Sequence, residues 1–214
     1  LLDHCKSVAL EQRALLFEED EPPAYAYFLD SGFASVVASM QGGESAEVEM
    51  IGPEGVVGGF GLLGGVTAAV PTRCFIQIAA QAQRIPMSEL RKAFETMPDV
   101  RERISASLQA EIATLMQIAG CHRVHDAEQR LARWLLMAQD RIEGNVLRLT
   151  QEFLGEMLGT RRTTVTEVAG ILQKKRCIEY HRGVVHVVDR EGLEGAACDC
   201  YKVVKRIFDG GHRE

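Results

Sequence analysis

Between residues 150 and 182 the sequence gathers side chains suited to reading base edges and phosphates of duplex DNA. Arg161 and Arg162 stand beside Thr163 and Thr164, with Thr166, Glu167 and Lys174 following. An arginine fork bonds guanine O6 and N7 together, a contact that discriminates against a wrong base by roughly 1–3 kcal/mol. Threonine hydroxyls bond phosphates or bases, and a threonine methyl can rest on that of thymine. A glutamate accepts from cytosine N4, or more simply pairs within its own helix. Thr150, Gln151 and Thr160 add polar groups where two helices should start, and the free backbone amides of helix starts receive phosphates. His181 and Arg182 supply a second basic point.

The other reactive residue types do not assemble by spacing. Cys5, Cys74, Cys121, Cys177, Cys198 and Cys200 are scattered, and without a CxxC pair neither a zinc ribbon nor a thioredoxin-like motif is written. No metal site is expected, and the thiols read as reduced and buried. One alternative stays open: Cys198 and Cys200, with Cys121 or Cys177, would ligate a metal or respond as thiols if the fold brought them together. No Ser/His/Asp order, phosphate-binding loop, HExxH or paired-carboxylate pattern is present. His122, His125, His181 and His186 have no nucleophile in register, so the chain is not read as an enzyme and no cofactor is expected.

The elements that must position the basic residues follow from periodicity. Thr150 is expected to cap a helix over 151–158, with Glu152 in its acidic first turn and Phe153, Leu154, Met157 and Leu158 turned inward. Gly159 breaks it. Thr160 is expected to cap a second helix starting at Arg161, whose inward stripe is Val165, Val168, Ala169 and Leu172. Its outward face carries Arg161, Arg162, Thr163, Thr166 and Lys174. Two short helices about a glycine turn, the second cationic at its start, form a helix-turn-helix. Strands at 178–180 and 184–188, joined by His181-Arg182-Gly183, read as a wing with a basic tip. The competing reading is a helix pair and hairpin that only pack together, with a solvated basic face.

Upstream, residues 25–86 read as β structure. Strands are expected at Tyr25–Leu29, 33–40, 46–51, 74–78 and 82–85, with glycines at 52, 55, 58, 59, 61, 64 and 65 disfavouring helix. Short strands with close turns suggest a jelly roll. Ser88 is expected to cap a short helix to Met97, and Pro98 to open a long helix ending about Gly120. Along that helix Leu108, Ile112, Leu115 and Ala119 fall at the intervals of a dimer seam; packing on its own domain is the alternative. Asp126 is expected to cap a further helix, with Leu131, Trp134, Leu135 and Ala138 inward, ending near Gly144.

Net charge is −6, but it is divided unevenly. Residues 1–120 hold 8 Lys+Arg against 16 Asp+Glu, net −8, whereas residues 121–214 hold 16 against 14, net +2. That asymmetry suits a sensor joined to a DNA-binding domain. No apolar run reaches membrane-spanning length and no signal pattern opens the chain, so a cytoplasmic location without membrane association is expected.

This order of elements resembles the Crp/Fnr family of bacterial transcription regulators. The strongest match is Thr150-Gln151-Glu152-Phe153-Leu154-Gly155-Glu156-Met157-Leu158-Gly159, then Thr160-Arg161-Arg162-Thr163-Thr164-Val165-Thr166. The resemblance implies an α+β chain: an N-terminal jelly-roll sensor domain over 1–97, a dimerisation helix over 98–120 and a winged helix-turn-helix over 121–214. It implies a homodimer on a palindromic site in double-stranded DNA, and RNA polymerase as a partner if the protein activates. Two departures matter. Thr163 stands where the family commonly has a base-reading glutamate, and Glu167 where it has an arginine; Arg162 is retained. In the sensor, Gly58, Gly59 and Gly61 keep the glycine-rich shape without the glutamate that holds a ribose, and Val70 and Pro71 stand near the place of the phosphate-binding Arg-Ser pair. The resemblance therefore leaves the effector unknown and disfavours a cyclic nucleotide, which stays as a lesser alternative. Only Cys5 and Cys74 lie in the sensor half, too few for the family's iron–sulfur branch.

Overall fold

The computed structural model describes residues 1–64 and 69–210; Gly65 of the glycine tract and the last four residues of the chain lie outside the described residues. Two compact units emerge. The first comprises 1–39 and 48–113, the second 40–47 and 114–210.

β1 (Lys6–Leu10), β2 (Leu15–Phe17), β3 (Tyr25–Leu29), β4 (Phe33–Ser39), β5 (Ser45–Ile51, of which 48–51 belong to the first unit), β6 (Thr72–Ile78) and β7 (Ala80–Pro86) form two sheets. Their orders are β1-β7-β3 and β2-β6-β4-β5. β1 and β3 pair antiparallel with β7, and β2 and β4 pair antiparallel with β6. Alternation fills the space between the sheets with Phe17, Tyr27, Leu29, Val36, Ile51, Cys74 and Ile76. β1 and β2 lie outside the expected β region: β2 has only three residues, and β1 buries none of its side chains fully, so neither carries a strong apolar alternation.

α1 (Met87–Thr96) and α2 (Pro98–Val124) follow. Ser88 does not cap α1, which starts one residue earlier and has no side-chain cap at Pro86. Leu90, Ile104 and Leu108 pack with Ile85, Val56 and Leu62 in a second apolar cluster. α2 does not stop near Gly120 but runs to Val124. A glycine ends a helix when it turns left-handed, and Gly120 does not.

The second unit holds α3 (Ala127–Gln139), β8 (Val146–Arg148), α4 (Gln151–Met157), α5 (Arg162–Lys174), β9 (Ile178–His181), β10 (Val184–Val187), α6 (Arg190–Ala196) and α7 (Cys200–Gly210). Asp126 caps α3, its carboxylate accepting from Gln129 N at 2.9 Å, and Leu131, Trp134, Leu135 and Ala138 are buried. α3 ends at Gln139 rather than near Gly144, which instead takes φ +90° in the turn beyond. The three strands form one antiparallel sheet, β8-β10-β9. Arg190 joins the end of α3 to α6 and α7: it reaches Gln139 Oε1 at 2.8 Å, Asp140 Oδ1 at 2.6 Å and Tyr201 Oη at 2.6 Å.

Candidate nucleic-acid interface

α4 and α5 are built as the sequence predicts, with one change at their junction. Thr150 caps α4, its hydroxyl accepting from Phe153 N at 3.2 Å. Thr160 does not cap α5. The helix starts at Arg162, Arg161 holds the cap position without a side-chain bond, and Thr160 N instead donates to Gly155 O at 2.9 Å. That bond closes the turn, in which Gly159 takes φ +57°. Gly155 is required by the same closeness: a Cβ there would lie 2.9 Å from Thr160 O. Sequence reading missed this role.

Val165, Val168, Ala169 and Leu172 are buried along α5, which fixes the helix by its inner stripe. Arg161, Arg162, Thr163, Thr166, Glu167 and Lys174 are exposed, whereas Thr160, Thr164 and Gln151 are half-buried. Arg161–Thr163 cluster at the leading edge. Lys174 lies twelve residues beyond Arg162 on α5, roughly 18 Å along the axis, and does not join them. The Thr166 hydroxyl sits 2.9 Å from Gln151 Oε1 and 3.0 Å from Arg162 O. Its proton is committed within the protein, leaving its oxygen and methyl for any ligand.

The wing is a two-residue hairpin. Val184 pairs with His181, and between them Arg182 (φ +47°) and Gly183 (φ +77°) are both left-handed, the requirement of a type I′ turn. It is tied back to the helix-turn-helix by Leu149 N donating to Gly183 O at 2.8 Å and Tyr180 Oη donating to Leu149 O at 2.7 Å. Burial pushes the Tyr180 phenol up to about 12, with the Arg162 charge opposing, so it stays a donor. Thr150, Gln151, Glu152, Arg162, Tyr180, Arg182 and Gly183 line one open cleft of about 370 Å³. The structure thus brings Arg162 and Arg182 to a single surface; His181 is exposed at the same turn.

Of the four expected seam residues on α2, Leu108 is 3% exposed and belongs to its own unit's core. Ile112 is 43% exposed, Leu115 half-buried and Ala119 exposed. Met116, which the seam spacing passed over, is 71% exposed. Ile112, Met116 and Ala119 stand four and three apart, so they share one face.

At Gly58, Gly59 and Gly61 the first unit packs closely against its own chain. A Cβ on Gly59 would lie 3.1 Å from Leu108 Cδ2, and one on Gly61 3.2 Å from Pro23 Cγ, while Gly58 (φ +80°) faces Tyr25 O at 3.0 Å. These glycines allow close packing.

Residues 7–97 match the family model of the cyclic nucleotide-binding domain, and residues 129–196 that of the Crp-like helix-turn-helix domain. The chain is 21% identical over 187 residues to the cAMP-activated global transcriptional regulator CRP of Escherichia coli, covering 84% of this chain and 88% of that protein. It is 23% identical over 188 residues to the global nitrogen regulator of Nostoc sp., covering 83% and 82%. A transcriptional regulator of the CRP/FNR family from Thermus thermophilus superposes with a TM-score of 0.73 at 18% identity, covering 90% of this chain and 98% of that one.

Proposed function

The chain belongs to the Crp/Fnr family of transcription regulators and carries its DNA-binding helix-turn-helix, and from that premise we propose that it acts as a homodimer on a palindromic operator. The observation that carries this reading is the cleft shared by Arg162 and Arg182: a leading edge of α5 with exposed cationic side chains, beside a wing tip that offers a second charge. Arg162 reads a guanine, with Arg161 and Thr163 beside it, and Arg182 contacts a flanking phosphate. Thr163 and Glu167 give a half-site that differs from the usual family sequence. Dimerisation runs through the α2 face of Ile112, Leu115, Met116 and Ala119 and sets two half-sites about one helical turn apart.

The regulator works by binding, not catalysis, in the cytoplasm, and engages RNA polymerase where it activates. Among the described residues no helix is long and apolar enough to cross a membrane. Its effector is not a cyclic nucleotide: the 58–63 tract lacks the ribose-holding glutamate, and its glycines are used in packing.

Selection of random duplexes against the purified chain, followed by gel shift in increasing salt, tests the proposal. An enriched inverted repeat is the expected result. Binding that is sequence-blind, and lost alike on every duplex as salt rises, would overturn base reading by α5. Adding cyclic AMP or cyclic GMP should leave the operator shift unchanged; tighter binding with either would restore the cyclic nucleotide as effector.

A further inference from the structure

The last turns of α2 and the junction of α6 with α7 bring together side chains that sequence spacing left apart. Cys121, Cys198 and Cys200 form a buried cluster, and His125, four residues beyond Cys121, closes it. One ligand-capable atom from each lies within 4.8 Å of all the others. Cys121 Sγ is 3.5 Å from Cys198 Sγ, and Cys200 Sγ is 3.6 Å from His125 Nδ1. Sulfurs bound at 2.3 Å to a tetrahedral ion stand roughly 3.7 Å apart. Two of the six separations are already close to that spacing, and none of the six exceeds 4.8 Å. Cys177, the other cysteine weighed for a metal, is not among them.

The surroundings add two independent observations. His125 turns Nδ1 toward the sulfurs and sets Nε2 3.5 Å from Asp199 Oδ1. A ligating imidazole ordinarily gives its second N–H to a carboxylate, which fixes its tautomer. Arg133 is 3% exposed, its Nε makes no hydrogen bond, and among the described residues it has no carboxylate partner. A buried guanidinium without a counter-charge is costly.

We infer that Cys121, His125, Cys198 and Cys200 bind one soft divalent cation of the zinc class, with four protein ligands and no open position. Three thiolates and a neutral imidazole around a divalent ion leave one negative charge, which is what Arg133 lacks. On binding, each S–H still protonated gives its proton to solvent, and the sulfur and Nδ1 lone pairs form the four bonds; nothing is oxidised or reduced. A closed set of this kind holds structure. Here it clamps the end of α2 to the start of α7, within the unit that carries the helix-turn-helix.

The test uses the full chain, isolated without oxygen or chelator and analysed for metal by mass spectrometry. One equivalent of zinc per chain is expected. After stripping, titrated cobalt(II) should give thiolate charge-transfer and tetrahedral bands that saturate at one equivalent and vanish when zinc is added. A thiol reagent should find Cys121, Cys198 and Cys200 protected until a chelator is present. His125→Ala and Cys198→Ser should lose the metal and Cys177→Ser should keep it; if the first two fail to fold, the cobalt titration of the unaltered chain decides. The inference is overturned by an absence of saturable cobalt bands, by thiols that react equally fast with and without zinc, or by a Cys121–Cys198 disulfide in the anaerobic protein.

Discussion

Arg162 and Arg182 share a cleft, yet their removal should be felt differently. Arg162→Ala should weaken operator binding by roughly 1–3 kcal/mol and relax the preference at one base pair, as read by gel shift on operator and altered duplexes. Arg182→Ala should weaken binding on all sequences alike and reduce the salt slope by about one. Glu111 makes a separate prediction about stability. Its carboxylate is buried, accepts from Val56 N at 2.9 Å and Ser107 Oγ at 3.4 Å, and faces the charge of Glu54. Burial first, then Glu54, raises its pKa from 4.5 to about 7. Below pH 4.5 it is protonated in folded and unfolded chains alike. Between 4.5 and about 7 only the unfolded chain ionises, so stability falls as pH rises through that window. Glu111→Gln should remove this slope and gain up to about 3 kcal/mol at about pH 8, with no gain at about pH 4, measured by urea denaturation across pH. At this scale the sequence exposed the face of α5 well, because buried Val165, Val168, Ala169 and Leu172 recur at helical period and leave the polar positions on the opposite face. It could not show His125 as a ligand, since Cys198 and Cys200 lie more than seventy residues away.

The helix-turn-helix depends on contacts between elements as much as on the helices themselves. Gly155→Ala would press a methyl carbon onto the Thr160 carbonyl, a backbone atom that cannot swing aside. A cost of roughly 1–3 kcal/mol is expected, with a lowered unfolding midpoint and weaker operator binding; an unchanged midpoint would show that the turn relaxes freely. Elements were legible where pattern and punctuation agreed, as in β3, α4 and the β9–β10 hairpin. They were misjudged where punctuation alone decided. Gly120 lies inside α2 because nothing at that point turns the chain left-handed, and Thr160 spends its amide on Gly155 while Arg161 takes the cap. β8 went unseen because three residues carry no periodic signal, and α6 because two glycines and a single buried residue, Leu193, leave it no apolar stripe.

For the molecule as a whole, the proposed dimer rests on the exposed face of α2. Met116→Glu should shift the protein from dimer to monomer in analytical ultracentrifugation and weaken palindrome binding at least about tenfold, leaving each unit's secondary structure intact. A dimer undiminished by that charge would move the interface elsewhere. The division of charge, −8 over residues 1–120 against +2 over 121–214, places the basic excess in the part that carries the helix-turn-helix. What, if anything, the first unit binds was not legible, because packing uses the glycines at 58, 59 and 61 that marked it.

The wing tip has one more consequence. Its turn asks for two left-handed residues, and an arginine at φ +47° supplies one at a strain of roughly 1–2 kcal/mol that glycine would relieve. A library varied at codon 182 and enriched only for survival of heating should therefore drift to glycine or asparagine. The same library enriched on operator DNA should return arginine. One position thus separates what folding prefers from what recognition demands.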